Sequence, residues 1–97
     1  MPSVSFRTQA AEDLDVLLDN SLVEYGAEVA RKRREMWADA VRLLGDVPTV
    51  GQSCDHIDEG LRRYVVMPHA AYFRLTHEGV VIVRILHVRQ DAERLVE

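Results

Sequence analysis

Apolar and polar positions along the chain change period several times, and each change marks an element. Val4 and Phe6 alternate with Ser5 and Arg7, the two-residue period of a short strand over residues 4–7. From Thr8 the period lengthens. Leu14, Leu17, Leu18, Leu22 and Tyr25 recur three and four apart, which predicts a helix to Tyr25. Thr8 offers an N-cap oxygen, and Glu12 and Asp13 place negative charge near the positive end of the helix dipole. Gly26 can take the positive φ that ends such a helix. A second helical pattern over residues 27–44 uses Val29, Met36, Trp37, Ala40, Val41 and Leu44, and Gly45 and Pro48 stop it. With one or two residues between them, the helices should form an antiparallel hairpin whose shared apolar face needs a sheet to cover it.

Residues 46–60 carry Pro48, Gly51, Asp55, Asp58 and Gly60 and read as a loop. Three strands follow at 61–67, 71–76 and 80–87, separated by Pro68-His69 and by His77-Glu78-Gly79. Such short connections give an antiparallel meander. Residues 80–86 are apolar on both faces except at Arg84, which predicts a central strand covered on both sides. Residues 91–96 form a short helical tail. The expected fold is α+β: an N-terminal strand, a two-helix antiparallel hairpin packed on an antiparallel sheet, and a short C-terminal helix, with the second face of the sheet partly open.

The length of 97 residues, 47% apolar and 29% charged, suits one domain over 1–97 with a thin core. No run approaches the roughly 20 apolar residues of a membrane span, and residues 1–7 lack the features of an export signal. A cytoplasmic location is expected. Cys54 stands alone, so there is no internal disulfide and no multi-cysteine zinc site. Beside His56 it reads as a free thiol next to a surface imidazole.

Charge is unevenly spread. Residues 1–60 hold 6 Lys and Arg against 12 Asp and Glu, whereas residues 61–97 hold 6 against 4. That excludes a protein coating nucleic acid over its whole surface, and leaves a local basic site on the C-terminal half. His69, His77 and His87 are separated by turns and do not converge as metal ligands, and no glycine-rich phosphate loop is present, so no metal or cofactor is expected. Arg31-Lys32-Arg33-Arg34 fans around a helix among Glu28, Glu35 and Asp39, a solvated face. The sheet and tail carry Arg62, Arg63, Arg74, Arg84, Arg89 and Arg94. Arg84, in the middle of an apolar strand, requires an answering acceptor. Asp91 or Glu93 from the tail could supply it, as could a carboxylate from outside.

These residues coincide with a known pattern. AEDLDVLL over residues 11–18, Gly51, DEGLR over 58–62, Tyr72-Phe73-Arg74 and above all VRILHVRQDAER over 83–94 resemble the ParE branch of the ParE/RelE toxins of bacterial type II toxin-antitoxin systems. The resemblance covers nearly the whole chain. It implies a small intracellular toxin silenced by a ParD-type antitoxin, and DNA gyrase as the target, held by binding and not by hydrolysis. It implies no sequence-specific DNA contact except through the antitoxin, and no membrane. By charge, an acidic or amphipathic antitoxin segment should lie across the open side of the sheet and the helix hairpin, its carboxylates answering Arg62, Arg74 or Arg84. Arg62, Tyr72, Arg74 and Arg84 are therefore the residues expected at antitoxin binding. Arg63, His87, Arg89, Asp91 and Arg94 are those the resemblance offers for toxicity. Asp91 could equally cap the tail helix, and Arg94 could be its solvated cation.

RelE-like members of the same fold cut mRNA on the ribosome. That chemistry needs a proton acceptor, a cation for the developing phosphate charge and a donor for the leaving oxygen. Arg63 and Arg89 match cationic positions of that set, but Ala70 stands at a further arginine position and Leu95 at the tail tyrosine. No catalytic residue is therefore assigned. A reduced nuclease using His69 or His87, and a family member without toxicity, stay open as alternatives.

Overall fold

The computed structural model describes residues 3–96. Strand β1 (Ser3–Phe6) leads into helices α1 (Thr8–Tyr25) and α2 (Ala27–Asp46), then a single 3-10 turn (Pro48–Val50). Strands β2 (Gln52–Ser53), β3 (Leu61–Val66), β4 (His69–Thr76) and β5 (Gly79–His87) follow, and helix α3 (Ala92–Leu95) ends the chain. The sheet order is β1-β5-β4-β3-β2. Every pair is antiparallel except β1 with β5, which run parallel from Ser3 opposite Gly79 to Phe6 opposite Ile82.

Gly26 alone separates the helices. Its φ of 89° lies where a side chain would be strained, its N–H donates to the Leu22 carbonyl at 3.0 Å, and its carbonyl accepts from Ala30 N–H at 3.1 Å. One residue thus closes α1 and opens α2. The α1 start differs from expectation: Arg7 holds the N-cap position, Thr8 is already helical, and no side chain caps the end. Gly45 does not stop α2. It lies buried inside the last turn, where an added Cβ would stand 3.1 Å from Val4 Cγ2, so the missing side chain lets α2 approach β1.

Two cores sandwich the sheet. On the helix side Ala10, Leu17, Trp37, Ala40 and Leu44 meet Val66, Ala71, Phe73, Ile82 and Ile85. On the other side Leu61, Ala70, Tyr72, Val83 and Leu86 lie beneath Cys54, Ala92 and Val96. This second face is therefore covered by the tail and by the 54–60 turn, where the sequence left it partly open. Cys54 is the free thiol expected and is buried in this second core, while His56 is exposed. No helix among the described residues is long and apolar enough to cross a membrane.

The central strand is β4, not β5. Strand β5 is interior only from Gly79 to Ile82, where β1 flanks it, and past Ile82 it becomes an edge. At that point its register against β4 shifts, from Phe73 opposite Ile82 to Tyr72 opposite Arg84, leaving Val83 as an extra residue. Such a bulge twists the strand and re-aims the side chains beside it.

Candidate functional site

The open stretch of β5 organises the site. Arg7 N–H donates the last bond of the parallel pairing to the Ile82 carbonyl at 2.9 Å, after which the chain turns into α1. Beyond it the edge amides are met by side chains in place of a strand: Asp13 Oδ2 accepts Ile85 N–H at 2.9 Å, and Gln90 Oε1 accepts His87 N–H at 2.7 Å. Side-chain acceptors of this kind keep a bare edge from recruiting another chain indiscriminately.

Arg84 leaves the bulge sideways and is answered twice. Its Nε and Nη2 donate to Asp13 Oδ2 and Oδ1 at 2.8 and 3.1 Å, a fork-to-fork pair, and Nη1 donates to the Leu95 carbonyl at 3.1 Å. The side chains of Arg84 and Asp13 are 16% and 18% exposed. The carboxylate raises the guanidinium's affinity for its proton, against the opposing effect of burial. The partner is thus Asp13 of α1, not Asp91 or Glu93, and the tail contributes only a backbone carbonyl.

Between α1 and this edge runs an open groove of about 470 Å³. Ser21, buried in the wall, donates to the Leu17 carbonyl at 2.8 Å and accepts from Arg33 Nη1 at 2.7 Å. Arg33 also lies over the Tyr25 ring, 5.1 Å from its centroid. Facing it, His69 and His87 are register partners across β4 and β5, with ring centroids 5.3 Å apart in an edge-on arrangement. His87 Nδ1 accepts Arg89 N–H at 3.1 Å. Burial, then the neighbouring His87 and Arg33, push the His69 imidazole below its ordinary value. The rim carries exposed apolar side chains: Val16 and Tyr25 of α1, with Met67 and Met36 nearby.

The remaining arginines serve the chain itself to different degrees. Arg62 Nη2 donates to the Gly51 carbonyl and, at 3.4 Å, to that of Thr49, tying the 3-10 turn to the sheet. Arg74 pairs with Asp58 and donates to the Glu59 carbonyl at 2.9 Å, fastening the 54–60 turn. Tyr72 is 3% exposed beneath the tail and presents no surface to a partner. Arg63 stands opposite Tyr72 and Gln52, and its buried Nε, like that of Arg62, has no hydrogen-bond partner among the described residues. Asp91 caps α3, accepting Glu93 N–H at 3.2 Å. Arg89 and Arg94 are exposed and without ion pairs among the described residues. The structure thus brings His87 and Arg84 into one groove and places Arg62 and Arg74 on supports elsewhere.

A family profile described as "ParE toxin of type II toxin-antitoxin system, parDE" matches residues 4–92. The chain belongs to the ParE toxin family. It is 29% identical over 86 residues to Toxin ParE1 of Mycobacterium tuberculosis, in strains CDC 1551 / Oshkosh and ATCC 25618 / H37Rv, covering 88% of each chain. Among solved structures it is similar to a chain of the chromosomal ParDE toxin-antitoxin system from P. aeruginosa, with a TM-score of 0.78 and 30% identity, covering 92% of this chain and 98% of that one. It shares its fold with a chain of the toxin-antitoxin complex RelBE2 from Mycobacterium tuberculosis, with a TM-score of 0.63 and 23% identity, covering 92% and 93%.

Within this ParE fold, sequence reasoning missed Asp13, Ser21, Arg33 and Gln90 as groove residues. Asp13 was legible only as a helix-start acid. Arg33 was counted with the solvated run, and Arg31 does behave that way, bridging Glu28 and Glu35. The signal that could have separated Arg33 from its neighbours is its place beside Ala30 and Trp37 on the inward side of α2, three and four residues away.

Proposed function

We propose that the chain is a growth-inhibiting toxin that acts by gripping another protein, with DNA gyrase as its target, and is neutralised by a ParD-type antitoxin. The relatives support the pairing: similar chains come from a ParDE system and from a RelBE2 complex. The antitoxin would lie along the groove between α1 and the open edge of β5. There Val16 and Tyr25 leave apolar surface beside an edge whose amides Asp13 and Gln90 already meet, a combination that suits an amphipathic polypeptide held by its side chains.

The observation that carries the non-enzymatic part is the fate of the arginines. Arg62, Arg74 and Arg84 are spent on the chain's own carbonyls and carboxylates. Ala70 and Leu95 stand where RelE-like nucleases carry a further arginine and a tyrosine, and Ala70 is wholly buried. The roles divide accordingly. Arg62, Tyr72, Arg74 and Arg84 hold the surfaces in place, and Asp91 shapes the tail. Arg89 and Arg94, the exposed cations of the C-terminal segment, contact the target, with His87 next to Arg89 and Arg63 contributing from β3. The test is expression of the chain alone and with its antitoxin. Growth arrest relieved by the antitoxin is expected, and Arg89→Glu with Arg94→Glu should abolish arrest while the antitoxin still co-purifies. A doubly reversed chain that remains fully toxic would overturn this assignment.

A further inference from the structure

The groove contains a cation that no carboxylate pairs with among the described residues. Arg31, Arg42, Arg74 and Arg84 each pair with a carboxylate, yet Arg33, half-buried, donates among the described residues to the Ser21 hydroxyl and lies over Tyr25. Across the groove, the His69 ring makes no hydrogen bond among the described residues and stands edge-to-face with His87. We propose that the space between Arg33 and His69 is a carboxylate receptor: an aspartate or glutamate side chain of the antitoxin seats there, and His69 takes up a proton as it docks. This rests on the antitoxin-binding reading above.

The charge around the groove argues for the proton. From α1 come Asp13 and Glu24, and from α2 and β5 come Arg33 and Arg84, two of each sign. Asp13 is already committed to Arg84 and to Ile85 N–H. Arg89, just beyond β5, is exposed and engages His87 only through its backbone. An arriving carboxylate meets the charge of Arg33, and a proton on His69 supplies the second donor that a partly dehydrated anion requires. Of the two imidazoles, His87 already uses Nδ1 to accept Arg89 N–H and would lose that bond on protonation there. His69 has no such commitment. In the free chain burial and its neighbours favour its neutral form, and a carboxylate within about 4–6 Å opposes them. The exposed apolar side chains of Val16 and Tyr25 on the rim favour a carboxylate carried on a polypeptide over a free ion.

The experiment is calorimetric titration of the chain with its antitoxin between about pH 8 and about pH 6, in two buffers of different ionisation enthalpy, with imidazole resonances followed in the free chain and the complex. Binding should tighten as pH falls, by up to about tenfold per pH unit between the free and bound titration points of His69. His69→Gln should flatten the pH dependence, His87→Gln should keep it, and Arg33→Met should weaken binding while leaving thermal unfolding near wild type. Affinity that does not change with pH, or a slope removed by His87→Gln and not by His69→Gln, would overturn the proposal. If no complex forms at any pH, the antitoxin reading is the one that fails. The receptor is then decided on the free chain with acetate: an upward shift of the His69 titration that Arg33→Met cancels supports it, and a His69 indifferent to acetate overturns it.

Discussion

Replacing Asp13 should separate three contributions that meet at one carboxylate. Asp13 accepts two guanidinium bonds from Arg84 and the edge amide of Ile85, with both side chains less than one-fifth exposed. Asp13→Ala leaves a mostly buried cation and an unpaired backbone N–H. Breaking a buried pair from one side costs about 3–5 kcal/mol, and partial exposure together with the surviving Leu95 carbonyl contact reduces this to about 2–4 kcal/mol. That is a large part of the roughly 5–14 kcal/mol available to a domain this size. Asp13→Asn keeps an acceptor for Ile85 and should cost less, about 1–2 kcal/mol. Asp13→Ala combined with Arg84→Met removes the orphaned charge and should recover part of the single-variant loss. Urea unfolding of the four chains measures this, and with a slope of about 1–1.5 kcal/mol per molar the Asp13→Ala midpoint should fall by roughly 1.3–4 M. Equal, sub-kilocalorie effects of Asp13→Ala and Asp13→Asn would refute the claim that this carboxylate holds the strand edge and the arginine together.

Gly51→Ala should destabilise by about 1–3 kcal/mol or prevent folding, because its Cβ would stand 2.5 Å from Phe73 Cζ and 3.1 Å from the Arg63 carbonyl; thermal melts check this. Cys54, whose burial pushes the thiol above its ordinary value with Arg63 and Arg62 only partly opposing, should react with a thiol reagent only when the second core opens, so that labelling slows as stability rises. His69, held below its usual value in the native state, makes the unfolded chain the better proton binder. Its contribution to stability is fully present above about pH 6.5 and is lost as pH falls toward the native titration point. His69→Gln should make the decline of urea midpoints between about pH 7.5 and 5.5 shallower.

The order of elements was legible because each depends on local pattern: the three- and four-residue spacing of α1 and α2, the positive φ of Gly26, and the apolar runs of β3 to β5 punctuated by turn residues. What escaped depends on distance in sequence. Pairing of β1 with β5 joins residues about 76 apart, and nothing local at Ser3–Phe6 announces a parallel partner. The bulge at Val83 follows from packing on both faces, and it decides where Arg84 points. The need of Arg84 for an acceptor could be read from its apolar strand, but its choice of Asp13 over the tail acids required knowing that β1 stops at Phe6 and leaves an edge for α1 to serve. The tail's burial over Tyr72 was hidden for a similar reason: Ala92 and Val96 are too few to signal a covering layer on their own.

The central claim is that this fold grips a protein and cuts no phosphodiester. Purified chain should be added to DNA gyrase during supercoiling of relaxed plasmid and, in parallel, to translating ribosomes whose messages are mapped by primer extension. Loss of supercoiling with intact messages is the predicted result; cleaved messages with supercoiling undiminished would contradict it.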